Sequence, residues 1–125
     1  MDIATALEGI SKKREEIHKK SMWDDPNSLS DLMVKLSVYN AYLADNIAKL
    51  HKEATDKQGE SYLNHKSKTS ASEAKELARF DSTEEREEFE KVEFIYKSTS
   101  NLITVLQSRL RVIENQRRQE GVNQT

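Results

Sequence analysis

Cysteine is missing from this sequence, proline occurs once, at Pro26, and glycine occurs only three times in 125 residues. The first absence removes disulfide frameworks, thiol nucleophiles and cysteine-ligated metals, and it suits a reducing compartment. The scarcity of the other two argues against β-sandwiches and barrels, which need turn residues at every corner. No apolar run approaches the roughly 18 residues of a membrane span. The N-terminal MDIATALEGISKKREE lacks the order of a secretory signal, in which charge precedes a continuous apolar stretch. A cytoplasmic protein is therefore expected.

What the sequence has in quantity is charge, 34% of residues against 35% hydrophobic, close to balanced at a net −2. That mixture is typical of long helices washed by solvent. The fold class is all-α, a helical hairpin or small bundle with a long C-terminal heptad helix. One helical domain over 1–125 is expected, with helices at 1–22, 28–54, 72–80 and 82–119, a polar connector at 55–71 and a fraying tail at 120–125.

The first segment places Ile3, Leu7, Ile10 and Ile17 on one stripe, with Arg14 filling the remaining position and Gly9 weakening the helix. Periodicity stops at Trp23-Asp24-Asp25-Pro26-Asn27-Ser28, where a residue before proline avoids the α region. Ser28 and Asp31 then resemble a cap, and Leu29, Leu32, Leu36, Tyr39 and Leu43 form a stripe. Beyond it, Asn46 or Ile47 turns inward before Leu50. Met33, Val38, Tyr42 and Ile47 broaden the stripe, so this helix is expected to touch more than one neighbour. TDKQGESYLNHKSKTSAS is nearly free of apolar residues and reads as a connector. Ser82 and Glu85 have capping-box spacing, and Phe89, Val92, Tyr96, Thr99, Ile103, Leu106, Leu110 and Ile113 then step by three and four over more than three heptads. Phe89, Val92, Tyr96, Ile103, Leu106, Leu110 and Ile113 are thus the candidate oligomer or partner interface.

Candidate chemistry is sparse. His18, His51 and His65 are separated along the chain with no HExxH or carboxylate cluster, so no metal is expected. There is no glycine-rich phosphate loop and no Ser-His-Asp spacing beyond chance, so neither catalytic residues, cofactor nor small-molecule substrate is expected. For nucleic acid, His65, Lys66 and Lys68 beside Tyr62 combine phosphate-neutralising groups with a ring on which a base can stack. Arg109 and Arg111, with Arg117 and Arg118, are a second basic candidate. Their competing explanation is the helix macrodipole, acid at the start (Glu84, Glu85, Glu87, Glu88, Glu90) and base at the end. Lys12, Lys13, Arg14, Lys19 and Lys20 are diluted by Glu15 and Glu16 and read as a solvated face.

The run SASEAKELARFDSTEEREEFEKVEFIYKSTSNLITVLQSRLRVIENQRR, through Ser72, Lys75, Leu77, Phe94, Tyr96, Gln107, Ser108 and Arg109, resembles the C-terminal part of the UvsY-type recombination mediators of T-even-like phages. The resemblance covers about the last fifty residues. It implies an all-α oligomer that binds single-stranded DNA and helps load a recombinase onto strands covered by single-strand-binding protein. The family's Lys/Arg-rich binding segment has only TDKQGESYLNHKSK as its counterpart here. Beside that reading stand a protein-only interaction module, such as an inhibitor, adaptor or assembly factor, gripping a partner through the Leu29 to Leu50 helix, and a coiled-coil spacer. Each helix buries one stripe, so the stripes meet either within one chain or between copies, and a homo-oligomer is expected.

Overall fold

The computed structural model describes residues 1–123, with side chains throughout except at 20, 21, 122 and 123. The fold is all-α. Five helices follow in order among the described residues: α1 Ile3–Ile17, α2 Lys20–Asp24, α3 Pro26–Lys66, α4 Ala71–Asp81 and α5 Thr83–Asn123. None is long and apolar enough to cross a membrane. Contacts divide the chain into two compact units, Met1–Tyr42 with Ile95–Thr125, and Leu43–Phe94, and both α3 and α5 contribute residues to each.

In the first unit, α1 begins at Asp2, whose carboxylate accepts from the Thr5 amide at 2.7 Å. That bond satisfies one of the amides left open at a helix start. The expected helix over 1–22 is interrupted, because Lys19 adopts an extended conformation and α2 restarts at Lys20. The interruption brings the Trp23 carbonyl to the side of α5, where Arg109 donates to it at 2.9 Å. Pro26 opens α3, a position where its missing amide costs nothing and its φ suits the helix. The cap is Asp25, not the expected Ser28 and Asp31. Its carboxylate accepts from the Asn27 amide at 3.1 Å and the Ser28 hydroxyl at 2.6 Å. Asp31 instead pairs with Lys35 at 2.8 Å.

The core of this unit is Ala6 and Ile10 of α1, Leu29, Leu32 and Leu36 of α3, and Leu106 and Ile113 of α5, with Ile17 at its edge. Each fully buried leucine or isoleucine contributes about 1.5–3 kcal/mol in transfer terms. The next inward residue of α3 is Asn40, while the expected Tyr39 is half-buried. Asn40 donates to the Tyr96 carbonyl at 3.3 Å and the Ser100 hydroxyl at 2.9 Å. From α1, Arg14 takes its stripe position and donates to Ser98 at 2.7 Å and Thr99 at 3.3 Å. Ser98, Thr99 and Ser100 therefore form a polar layer inside an otherwise aliphatic core. Gly9 lies against the Tyr39 ring, which occupies the space a Cβ would need.

In the second unit, α3 continues where a connector over 55–71 is expected, and only residues 67–70 separate it from α4. The face Ala54, Gln58, Ser61 and His65 keeps helical spacing, but it is built from small and polar residues that an apolar reading passes over. Ala54, Ala74 and Ala78 are buried, and such short side chains let helices approach closely. Ser70 caps α4, accepting from the Glu73 amide at 3.2 Å. The expected Ser82–Glu85 capping box does not form. The Ser82 hydroxyl donates back to the Ala78 and Arg79 carbonyls at 2.9 and 3.3 Å, closing the end of α4. Leu43, Leu50 and Val92 complete this core, and His51 packs on Phe89 with ring centroids 4.9 Å apart. Helix α5 extends through 120–123, part of the expected tail, and residues 124 and 125 lie outside the described residues.

Candidate functional site

Along α3, Ser30, Met33, Val34, Ser37, Val38 and Ala41 recur by three and four, defining a face distinct from the one carrying Leu29, Leu32 and Leu36. With Ile103 and Gln107 of α5 they line a groove of about 510 Å³ in the first unit. Among the described residues no charged one lines it, in a chain that is 34% charged. Val34 is 63% exposed and Val38 54%, whereas Met33 and Ile103 are half-buried. A row of exposed β-branched residues beside the small Ser30, Ser37 and Ala41 leaves room for another backbone to approach. The broadened stripe read from sequence included Met33 and Val38 but not Val34 or Gln107. A second uncharged three-four repeat, offset from the leucines, was the signal that could have found the rest.

The heptad residues of α5 divide between buried and half-buried positions. Val92, Leu106 and Ile113 are buried in the isolated protein, at sevenfold spacing with the buried Thr99. Phe89, Tyr96, Ile103 and Leu110 are half-buried along the same side. Val92, Thr99, Leu106 and Ile113 are core, whereas Phe89, Tyr96, Ile103 and Leu110 keep part of their surface accessible.

The two basic candidates fall in different units. In the second, Tyr62 is half-buried with the Lys66 ammonium 5.9 Å from its ring centroid, a cation–π geometry. Lys66 and Lys68 are exposed at the end of α3 and in the turn after it. His65 Nε2 lies 2.8 Å from Asp81 Oδ2, so this ring is engaged with a carboxylate. In the first unit, Arg109 spans the Trp23 carbonyl and Asp24, the latter at 2.8 Å. That fork fastens α2 to α5, a structural use of the guanidinium. Arg111 is exposed.

Sequence spacing does not bring Ser61, His65 and Asp81 together, but the fold does. Ser61 donates to Asp81 Oδ2 at 2.6 Å, and His65 meets the same oxygen at 2.8 Å. A hydrolytic triad needs the hydroxyl on the imidazole and the carboxylate behind it. Here the carboxylate is central, and hydroxyl and imidazole both end on it. The arrangement ties the C-terminal turn of α3 to that of α4. First the Ser61 hydroxyl and then the His65 ring hold the Asp81 carboxyl below the usual carboxylate range. Lys57, Glu60 and Asn64 line the adjoining hollow. Among the described residues no three histidine, aspartate or glutamate side chains converge to hold a metal ion. Comparison with protein-family models, curated proteins and solved structures gives no match for this chain.

Proposed function

We propose that the protein is a non-enzymatic helical interaction module, and that the α3–α5 groove of its first unit receives an amphipathic helix from a partner protein. The observation that carries this reading is the uncharged face of Met33, Val34, Val38, Ala41 and Ile103, left open although the unit's own helices fill its core from the other side. Exposed contiguous apolar surface rimmed by polar residues marks association sites, and a groove between two helices suits a third laid along it. Val34 and Val38 serve as its apolar contacts, while Ser37 and Ala41 set the depth to which the incoming helix seats.

The absence of cysteine makes the test direct, since Ser37→Cys places one environment-sensitive fluorophore in the groove. Titration with a leucine-striped amphipathic peptide is expected to give a saturable blue shift. A scrambled peptide of equal composition gives none, and Val34→Glu with Val38→Glu abolishes the response. Equal response to both peptides would remove the basis of the proposal. A shift on adding unlabelled protein alone would identify a second copy as the occupant.

A second reading rests on the Tyr62–Lys66 pair with Lys68 close by, and on the resemblance to recombination mediators. It has single-stranded DNA bound in the second unit, and a recombinase or single-strand-binding protein as partner. Binding of a labelled single-stranded oligonucleotide that weakens steeply with salt, and is lost in Tyr62→Ala, supports it. No binding at low salt rejects it.

A further inference from the structure

Helix α4 carries the most exposed aromatic side chain of the second unit. Phe80 is 78% exposed and Leu77 is also open to solvent, three residues apart on one side of the helix. The inward side of α4 is Ala74 and Ala78. Glu73 and Glu76 fall on the same outward face as Leu77 and Phe80, and both are exposed. Among the described residues neither glutamate joins an ion pair. The cations of α4 lie elsewhere around it, Lys75 turning toward the groove that holds Gln58 and Tyr62. Past the corner at Ser82, α5 opens with Glu84 and Glu85. The outcome is an apolar pair flanked on its own face by Glu73 and Glu76, with Arg79 the nearest cation along the helix.

We infer that this α4 face docks a basic amphipathic segment of another protein, one that covers Leu77 and Phe80 with aliphatic side chains and sets lysine or arginine against Glu73 and Glu76. Burial of an exposed phenylalanine supplies affinity, since aromatic anchors dominate the energetics of small interfaces. The carboxylates select the sign of the partner's charge and speed its approach. An apolar knob alone would accept any sticky surface, and the glutamates alone would hold a basic chain only loosely. Together they specify a segment that is both apolar and cationic. The uncharged α3–α5 groove has no such preference, so the two surfaces fit different partners.

The test uses the full chain and a labelled helical peptide of lysine, arginine and leucine, followed by fluorescence anisotropy. With the uncharged groove closed by Val34→Gln and Val38→Gln, the chain is expected to bind it and not a glutamate-for-lysine counterpart. Phe80→Ala is expected to weaken binding by about tenfold or more. Glu73→Lys with Glu76→Lys reduces both affinity and its dependence on salt, because exposed charges are screened over about 8–10 Å at ordinary ionic strength. Unaltered circular dichroism confirms that these exposed substitutions do not unfold the chain. Equal affinity for the acidic peptide, or binding indifferent to both Phe80→Ala and the charge reversals, would overturn the inference.

Discussion

Gly9 poses a sharp test of the packing between α1 and α3. In a helix interior, replacing glycine by alanine ordinarily stabilises by about 0.8–1 kcal/mol. At this position an added Cβ would lie 2.6 and 2.7 Å from Tyr39 Cε2 and Cε1, and nearer still to Cζ. Ordinary carbon contacts are about 3.5–4.0 Å, so the ring must withdraw by roughly 1 Å or α1 must shift. Overpacking of that kind costs about 1–3 kcal/mol, which cancels or outweighs the gain in propensity. Gly9→Ala is thus expected to range from neutral to about 2 kcal/mol destabilising. In a Tyr39→Ala background the obstacle is gone, and the same substitution should stabilise by nearly the full propensity difference. Urea unfolding followed by far-ultraviolet circular dichroism, with a common m-value, yields the four free energies of the cycle. If Gly9→Ala stabilises equally in both backgrounds, the Tyr39 ring does not rest on Gly9 and the proposed packing is refuted.

Leu106→Ala removes a fully buried side chain and should cost about 2–5 kcal/mol. Because the seam is filled within one chain, that loss should not vary with protein concentration in denaturant titrations; a concentration-dependent midpoint would place the seam between chains. Arg14 and Thr99 should behave oppositely. Thr99→Val leaves the guanidinium short of an acceptor and destabilises by about 1–3 kcal/mol, whereas Arg14→Met, which removes a donor whose Nε is already buried without a partner, is expected to be near neutral in thermal melts. A larger loss from Arg14→Met than from Thr99→Val would contradict this view of the polar layer. Asp81 has a folded-state pKa below its unfolded value, so its contribution is present above about pH 4 and lost as pH falls through the folded value. Asp81→Asn should flatten the acid limb of a stability–pH curve, and an unchanged limb would show that the Ser61 and His65 bonds add nothing to the ionised form.

Much of the fold was legible because the physics behind it is local. Scarcity of glycine and proline, the corner at Pro26, and the leucine and heptad stripes each follow from residue type and period, and they determine an all-α chain with a long last helix. The continuation of α3 through Lys66 was not legible, because Ala54, Gln58, Ser61 and His65 preserve a helical face without apolar side chains. What stabilises that face is α4, through the two alanines opposite and the bonds converging on Asp81, and no local pattern reveals a partner twenty residues away. Likewise the sequence places Arg14 on a stripe and Gly9 in a helix, but only packing makes the first a donor to Ser98 and Thr99 and the second a seat for Tyr39. The caps show the same division: Ser28 and Ser82 have the right spacing, yet Asp25 takes one role because Pro26 starts the helix early, and the Ser82 hydroxyl turns back to α4. The sequence by itself determined the all-α class, the corner at Pro26 and the heptad side of α5 that turns inward, since these depend on residue type and period. Only the tertiary structure decided which apolar residues remain uncovered, Val34 and Val38 beside Ile103 and the Leu77–Phe80 pair, because exposure depends on which neighbours the chain supplies.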